Sequence, residues 1–128
     1  MPRHPSPQPT QVELQILRIL WEDGPSIARH IHDSLQASKQ TTYSTTVKML
    51  SVMLDKGLLK RDDEVRPQVY RAAAPRQRTQ MQMLSDLIEK VYDGSAATLM
   101  QHAISSKKAS ADEIAEIRRL LDDLEDQS

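Results

Sequence analysis

Apolar residues recur at helical spacing along most of this chain and alternate only in one short stretch. Residues 1 to 9 hold four prolines and predict a disordered arm. Thr10 and Glu13 then form a capping box, and Val12, Leu14, Ile16, Leu17 and Leu20 lay an apolar stripe that reaches Trp21. Gly24-Pro25 stops this helix. Ser26 is placed to cap a second helix carrying Ile27, Ala28, Ile31 and Leu35, and the polar stretch Gln36 to Thr41 breaks the pattern. Thr42 is placed to cap a third helix that runs to about Lys56 and closes at Gly57. Its inner face should hold Thr46, Met49, Leu50 and Met53. Leu58-Leu59-Lys60-Arg61 and Gln68-Val69-Tyr70-Arg71-Ala72 predict two short strands joined by a loop over Asp62 to Pro67.

Three helices followed by a hairpin is the order of a winged helix-turn-helix. After the linker Ala73-Ala74-Pro75 the pattern is helical again. Met83, Leu84, Leu87, Ile88 and Val91 form one stripe, ended by Asp93-Gly94. Ser95 to Ile104 predicts a shorter helix with Ala96, Leu99, Met100 and Ala103 inward. A second capping box, Ser110 with Glu113, opens a last helix bearing Ile114, Ile117, Leu120, Leu121 and Leu124. The predicted fold is therefore mainly α with a small β wing. It comprises an arm (1–9), a winged-helix domain (10–75) and a helical dimerisation domain (76–128). Three amphipathic helices on so short a tail do not enclose a core alone, so Leu84, Leu87, Ile88, Val91, Leu99, Ile117, Leu120, Leu121 and Leu124 are expected to meet a second chain. The alternative is that they fold back on the first domain.

Composition narrows the function classes. The 128 residues contain no cysteine, which removes disulfides, thiolate nucleophiles and Cys-ligated metal sites. No apolar run approaches the roughly 18 residues that span a bilayer, and the first residues lack a signal-peptide core, so a cytoplasmic protein without membrane insertion is expected. Residues 1–75 carry ten basic and eight acidic side chains, net +2, while residues 76–128 carry seven and ten, net −3. A mildly basic front and an acidic back suit a nucleic-acid-binding domain tied to an assembly domain.

The third helix supplies the candidate chemistry. A helix fits the DNA major groove, which distinguishes all four base pairs, and a winged helix usually inserts this one by its N-terminal end. That end reads Thr41, Thr42, Tyr43, Ser44 and Thr45, with Val47 and Lys48 on the outer side. Hydroxyls bond to phosphates or base edges, Tyr43 suits the sugar-phosphate backbone, and Val47 offers apolar contact only. Helix capping explains one hydroxyl of the run but not five. The wing adds Lys60, Arg61, Arg66 and Arg71, with Arg66 at its tip for backbone or minor-groove contact. Asp62, Asp63 and Glu64 repel phosphate there, and are expected to point away or to pair with Arg61 and Arg66. Arg3 and His4 in the arm add weak non-specific attraction.

Nothing else along the chain suggests catalysis, a metal or a cofactor. His30 and His32 are two apart on a helix and do not share a face. His102 stands alone, and all three are expected to be surface or half-buried histidines and not ligands. Ser105-Ser106-Lys107-Lys108-Ala109-Ser110 has a Ser/Lys composition but lies between helices beside a capping serine. No glycine pattern for a phosphate or dinucleotide is present.

The chain resembles the penicillinase repressor family, the BlaI/MecI/CopY group of winged-helix transcriptional regulators. The matching pieces are TQVELQILRILWEDGPSIARHIHDSL, TTYSTTVKMLSVMLDKGLLKRD, VYRAA, DLIEKVYDGSAATLMQHAIS and SADEIAEIRRLLDDLE. Leu20-Trp21, Lys56-Gly57-Leu58, Val69-Tyr70-Arg71 and Tyr92-Asp93-Gly94 at these spacings carry its specificity. The resemblance implies a homodimeric repressor whose winged helices read a palindromic operator on double-stranded DNA and whose C-terminal helices interlock. It places Thr42, Ser44, Thr45 and Val47 at the recognition-helix contacts. Some relatives have arginines where Val47 and Val52 stand, so the half-site preferred here should differ from theirs. In the beta-lactam systems a membrane sensor with a zinc-protease domain triggers cleavage at an Asn-Phe bond. His102-Ala103 occupies that position here. The copper-responsive branch uses a cysteine hook, and without cysteine that thiolate sensing is excluded. The inducing signal is left open, as is activation in place of repression. A winged helix used for protein contact, without DNA, is the rival function.

Overall fold

The computed structural model describes residues 8–106 and 108–127. Arg3, His4 and most of the expected arm lie outside them. The chain divides into two units, Met1–Met83 and Leu84–Ser128. The architecture is mainly helical with one small antiparallel sheet, a winged helix-turn-helix followed by C-terminal helices.

In the first unit, α1 (Gln11–Asp23) begins at the expected capping box. The Glu13 amide donates to Thr10 Oγ1 at 3.2 Å, and the Thr10 amide donates to Glu13 Oε1 at 2.9 Å. The helix ends at Gly24, whose φ of 81° falls in the region that favours glycine. One difference follows. Ser26 does not cap the second helix; Ser26–Ile27 is a two-residue strand, β1, and the Ser26 hydroxyl donates to the Gly24 carbonyl. Helix α2 (Ala28–Leu35) starts after Ile27 with no side-chain cap. Thr42 does cap α3 (Tyr43–Asp55), its Oγ1 accepting from the Thr45 amide at 3.2 Å. Gly57 closes α3 in a Schellman turn, with the Leu58 amide donating to the Met53 carbonyl and the Gly57 amide to that of Leu54.

The wing follows as β2 (Leu59–Asp62) and β3 (Val69–Ala72). The sheet order is β1-β3-β2, antiparallel throughout, with Ser26 opposite Tyr70 and Arg61 opposite Tyr70 on the other side. The core is assembled from three helices and two strands: Ile16, Leu17 and Leu20 of α1, Ile31 and Leu35 of α2, Leu50 and Met53 of α3, Leu59 of β2 and Tyr70 of β3. Trp21 Nε1 donates to the Ala74 carbonyl at 2.9 Å and fixes the chain where it leaves the wing.

A buried ion pair ties the start of α1 to the end of α3. Lys56 Nζ donates to both Glu13 oxygens, at 2.8 and 3.1 Å. Burial alone would raise the Glu13 carboxyl. The Lys56 ammonium and the Thr10 groups outweigh burial and hold the carboxyl below its ordinary range.

Helix α4 (Arg76–Val91) spans the boundary between the units. The second unit continues with α5 (Ala96–Ser105) and α6 (Ala111–Gln127). Asp93, at φ 51°, and Gly94, at φ 84°, turn the chain after α4. Ser95 caps α5 through the Thr98 amide, and the Ser110–Glu113 box opens α6 as its sequence predicts. None of these three helices buries a single described residue.

Candidate nucleic-acid interface

The N-terminal end of α3 stands clear of the core. Thr42, Tyr43, Ser44, Thr45 and Lys48 are exposed, and Val47 is half-buried. The helix divides as its pattern demands: Thr46, Leu50 and Met53 are buried on the opposite side, and Met49 is half-buried. The hydroxyls form a local cluster. Thr42 donates to Thr45 Oγ1 at 2.9 Å and shares a 3.2 Å contact with the Ser44 hydroxyl. Capping therefore occupies Thr42, while exposed Thr45 accepts from it and keeps its own hydroxyl proton for another acceptor.

The buried side of this turn is polar and satisfied. His32, expected at the surface or half-buried, is instead buried, and its Nδ1 sits 2.8 Å from the Thr46 hydroxyl. That bond compensates two polar groups in an otherwise apolar core. The His32 ring also meets the Tyr43 ring edge-on, with centroids 5.5 Å apart. On Tyr43, the Arg29 guanidinium of α2 lies 4.1 Å from the ring centroid. Arg29 and His32 lie one turn apart on α2, but no sequence spacing links them to Tyr43. Only the packing of α2 on α3 brings them together.

The wing folds around Asp63. Its carboxylate pairs with Arg61 Nε and accepts from Gln68 Nε2 at 3.1 Å, and its carbonyl accepts from Arg66 Nη1 at 2.7 Å. The bonds to Asp63, and to a lesser degree Tyr70, push the Arg61 guanidinium further up from its ordinary value. Asp62 accepts from the Glu64 amide at 3.0 Å and shapes the turn. Of the three acidic residues, Asp63 pairs with Arg61 as expected, while Asp62 and Glu64 make no ion pair among the described residues. Arg66 is held by backbone carbonyls rather than by a carboxylate, and its remaining N–H groups stay exposed. An open groove lies between α3 and the wing, bounded by Arg29, Tyr43, Val47, Arg66 and Gln68. Among the described residues, Arg29, Lys48, Lys60 and Arg71 make no ion pair.

His30 and His102 are exposed. His30 lies 2.8 Å from Asp23, and His102 meets Tyr92 within the second unit. Among the described residues no group of three or more His, Cys, Asp or Glu is placed to hold a metal ion. No described helix is long and apolar enough to cross a membrane.

Comparison with known proteins agrees with this architecture. The chain is 22% identical over 112 residues to the methicillin resistance regulatory protein MecI of Staphylococcus aureus (strain N315), covering 88% of this chain and 91% of that protein. The same identity and coverage hold for MecI of Staphylococcus epidermidis, and identity is 21% for MecI of Mammaliicoccus sciuri. Residues 9–123 match the penicillinase repressor family. A winged helix, an exposed third-helix end and a match along nearly the whole chain lead to one conclusion: this protein belongs to the penicillinase repressor family of winged-helix transcriptional regulators, which are not enzymes.

Proposed function

We propose that this chain is a homodimeric repressor that binds a palindromic operator in double-stranded DNA through the outer face of α3. The observation that carries this is the exposed run Thr42, Tyr43, Ser44, Thr45 and Lys48 on a helix end held rigidly by the core behind it. Thr45 and Val47 read bases. Thr45 offers a hydroxyl and a methyl, and Val47 meets thymine methyl groups. Lys48, and Arg66 through its free N–H groups, contact phosphate, while Thr42 and Ser44 orient the turn. Two copies, joined through the apolar faces of the second unit, present two such helices to two half-sites.

Binding selection from a randomised duplex pool tests this with the parent, T45A, V47A and K48A proteins. T45A is expected to lose about 1–3 kcal/mol of discrimination at one base position, and V47A less. K48A should weaken specific and random duplexes alike. Unchanged selection by T45A and V47A would show that this face does not read the operator. A parent protein that binds no duplex would favour a winged helix used for protein contact.

A further inference from the structure

We infer that Arg29 is a DNA-backbone contact and that Tyr43 is the platform holding it in place. The inference deepens the DNA-binding function proposed above and rests on it. Three observations support it. First, the Arg29 guanidinium lies 4.1 Å from the centroid of the Tyr43 ring, which also meets the buried His32 ring in a T-shaped contact. Second, Arg29 is exposed and, among the described residues, makes no hydrogen bond and no ion pair, so all five of its N–H donors are open to a ligand. Arg61 differs, because Asp63 neutralises it. Third, Arg29 and Tyr43 border the groove between α3 and the wing, with Val47 and Arg66 also on its wall. A strand whose bases meet α3 and whose backbone meets the wing passes along this groove. A planar guanidinium fixed at its edge matches the forked geometry of a phosphodiester.

The physical reason for the platform is preorganisation. A free arginine loses rotamer freedom when it binds phosphate, and this weakens the contact. Stacking on Tyr43 removes much of that freedom before DNA arrives while leaving the charge unneutralised. Tyr43 is thus a positioning residue for Arg29. Its hydroxyl is dispensable to this role, and its ring is not.

The test is DNA affinity of the full chain, measured on operator and random duplexes at several salt concentrations. R29A should lower the salt slope by about one unit on both duplexes, and R29K should retain it. Y43F keeps the ring, so R29A should lower the salt slope in the Y43F background by as much as it does in the parent. Y43L should lose roughly 2- to 5-fold, the size of an exposed cation–π contact, and should lose less than that in the R29A background. An R29A protein with the parental slope would overturn the phosphate contact. Equal losses from Y43L with and without Arg29 would overturn the platform. A parent protein with no salt-dependent binding would overturn the DNA-binding function itself, an outcome distinct from either.

Discussion

The two units are built from the same kind of amphipathic helix, yet they finish differently. In Met1–Met83 the apolar stripes of three helices converge with two strands, and nine hydrophobic side chains among the described residues are buried. In Leu84–Ser128 the stripes are as regular, but no described residue of them is buried. Val91 is 64% exposed, Leu124 62% and Leu120 57%. Ile88, Leu99, Ile114 and Ile117 are only half-buried. Fully burying one such side chain contributes about 1.5–3 kcal/mol, so leaving a row of them in water forgoes a large stabilisation. Amphipathic pattern therefore shows which face of a helix is apolar, not what will cover it. For the first unit the cover lies within the chain. For the second we propose that it is the second copy.

The largest expected effect breaks this contrast at its weaker side. Leu87→Asp or Leu121→Asp strands a charge in the proposed dimer face. Sedimentation should show monomers, and operator affinity should fall by about 100-fold or more as the linkage between half-sites is lost. The winged helix should keep its fold, visible as a preserved unfolding transition. A dimer that survives both substitutions would place the interface elsewhere.

Next come changes within the closed unit. Leu50→Ala leaves a cavity among fully buried neighbours and should cost about 2–5 kcal/mol, read from urea unfolding. This loss should not depend on protein concentration, whereas the loss from Leu121→Ala should. Identical concentration dependence for the two would erase the distinction drawn between the units.

The Glu13–Lys56 pair adds a smaller effect with a defined pH course. Lys56→Met leaves Glu13 unpaired, with side-chain exposure of only 8% in the native pair, and should cost about 3 kcal/mol at neutral pH. The folded state holds the Glu13 carboxyl below its unfolded value. Its contribution is therefore fully present above the unfolded value and is lost as pH falls through the folded one. Urea midpoints taken between about pH 6 and about pH 3 should drop less steeply in Lys56→Met than in the parent. Parallel curves would mean that the pair adds nothing to acid sensitivity.

The smallest effect concerns the wing. Asp63→Asn removes the charge that neutralises Arg61 and repels phosphate. DNA affinity should rise less than tenfold, with a salt slope steeper by up to about one unit. No change would show that the wing charges stand away from the DNA.

What the sequence made legible follows from range. Thr10 with Glu13, Thr42, Gly57 and Ser110 with Glu113 act within a turn or two of themselves, and each helix begins or ends where they stand. The winged-helix order was legible for the same reason. Strand β1 was not, because two residues form a strand only when Tyr70 and Val69 arrive to pair with them. Ser26 therefore looks like a helix cap. Glu13 and Lys56 are 43 residues apart, and Arg29 and Tyr43 come from different helices, so neither contact leaves a periodic trace. The candidate reading face, Thr42 to Lys48, was visible because its hydroxyl run exceeds what capping requires. The hold of Asp63 on Arg61 and Arg66 depends on how the wing turns.

We propose that the open apolar faces of the second unit close on a second copy. Sedimentation equilibrium of the full chain at micromolar concentration tests it most directly. A species of twice 14.5 kDa that dissociates only on dilution is expected. A single 14.5 kDa species throughout would contradict it.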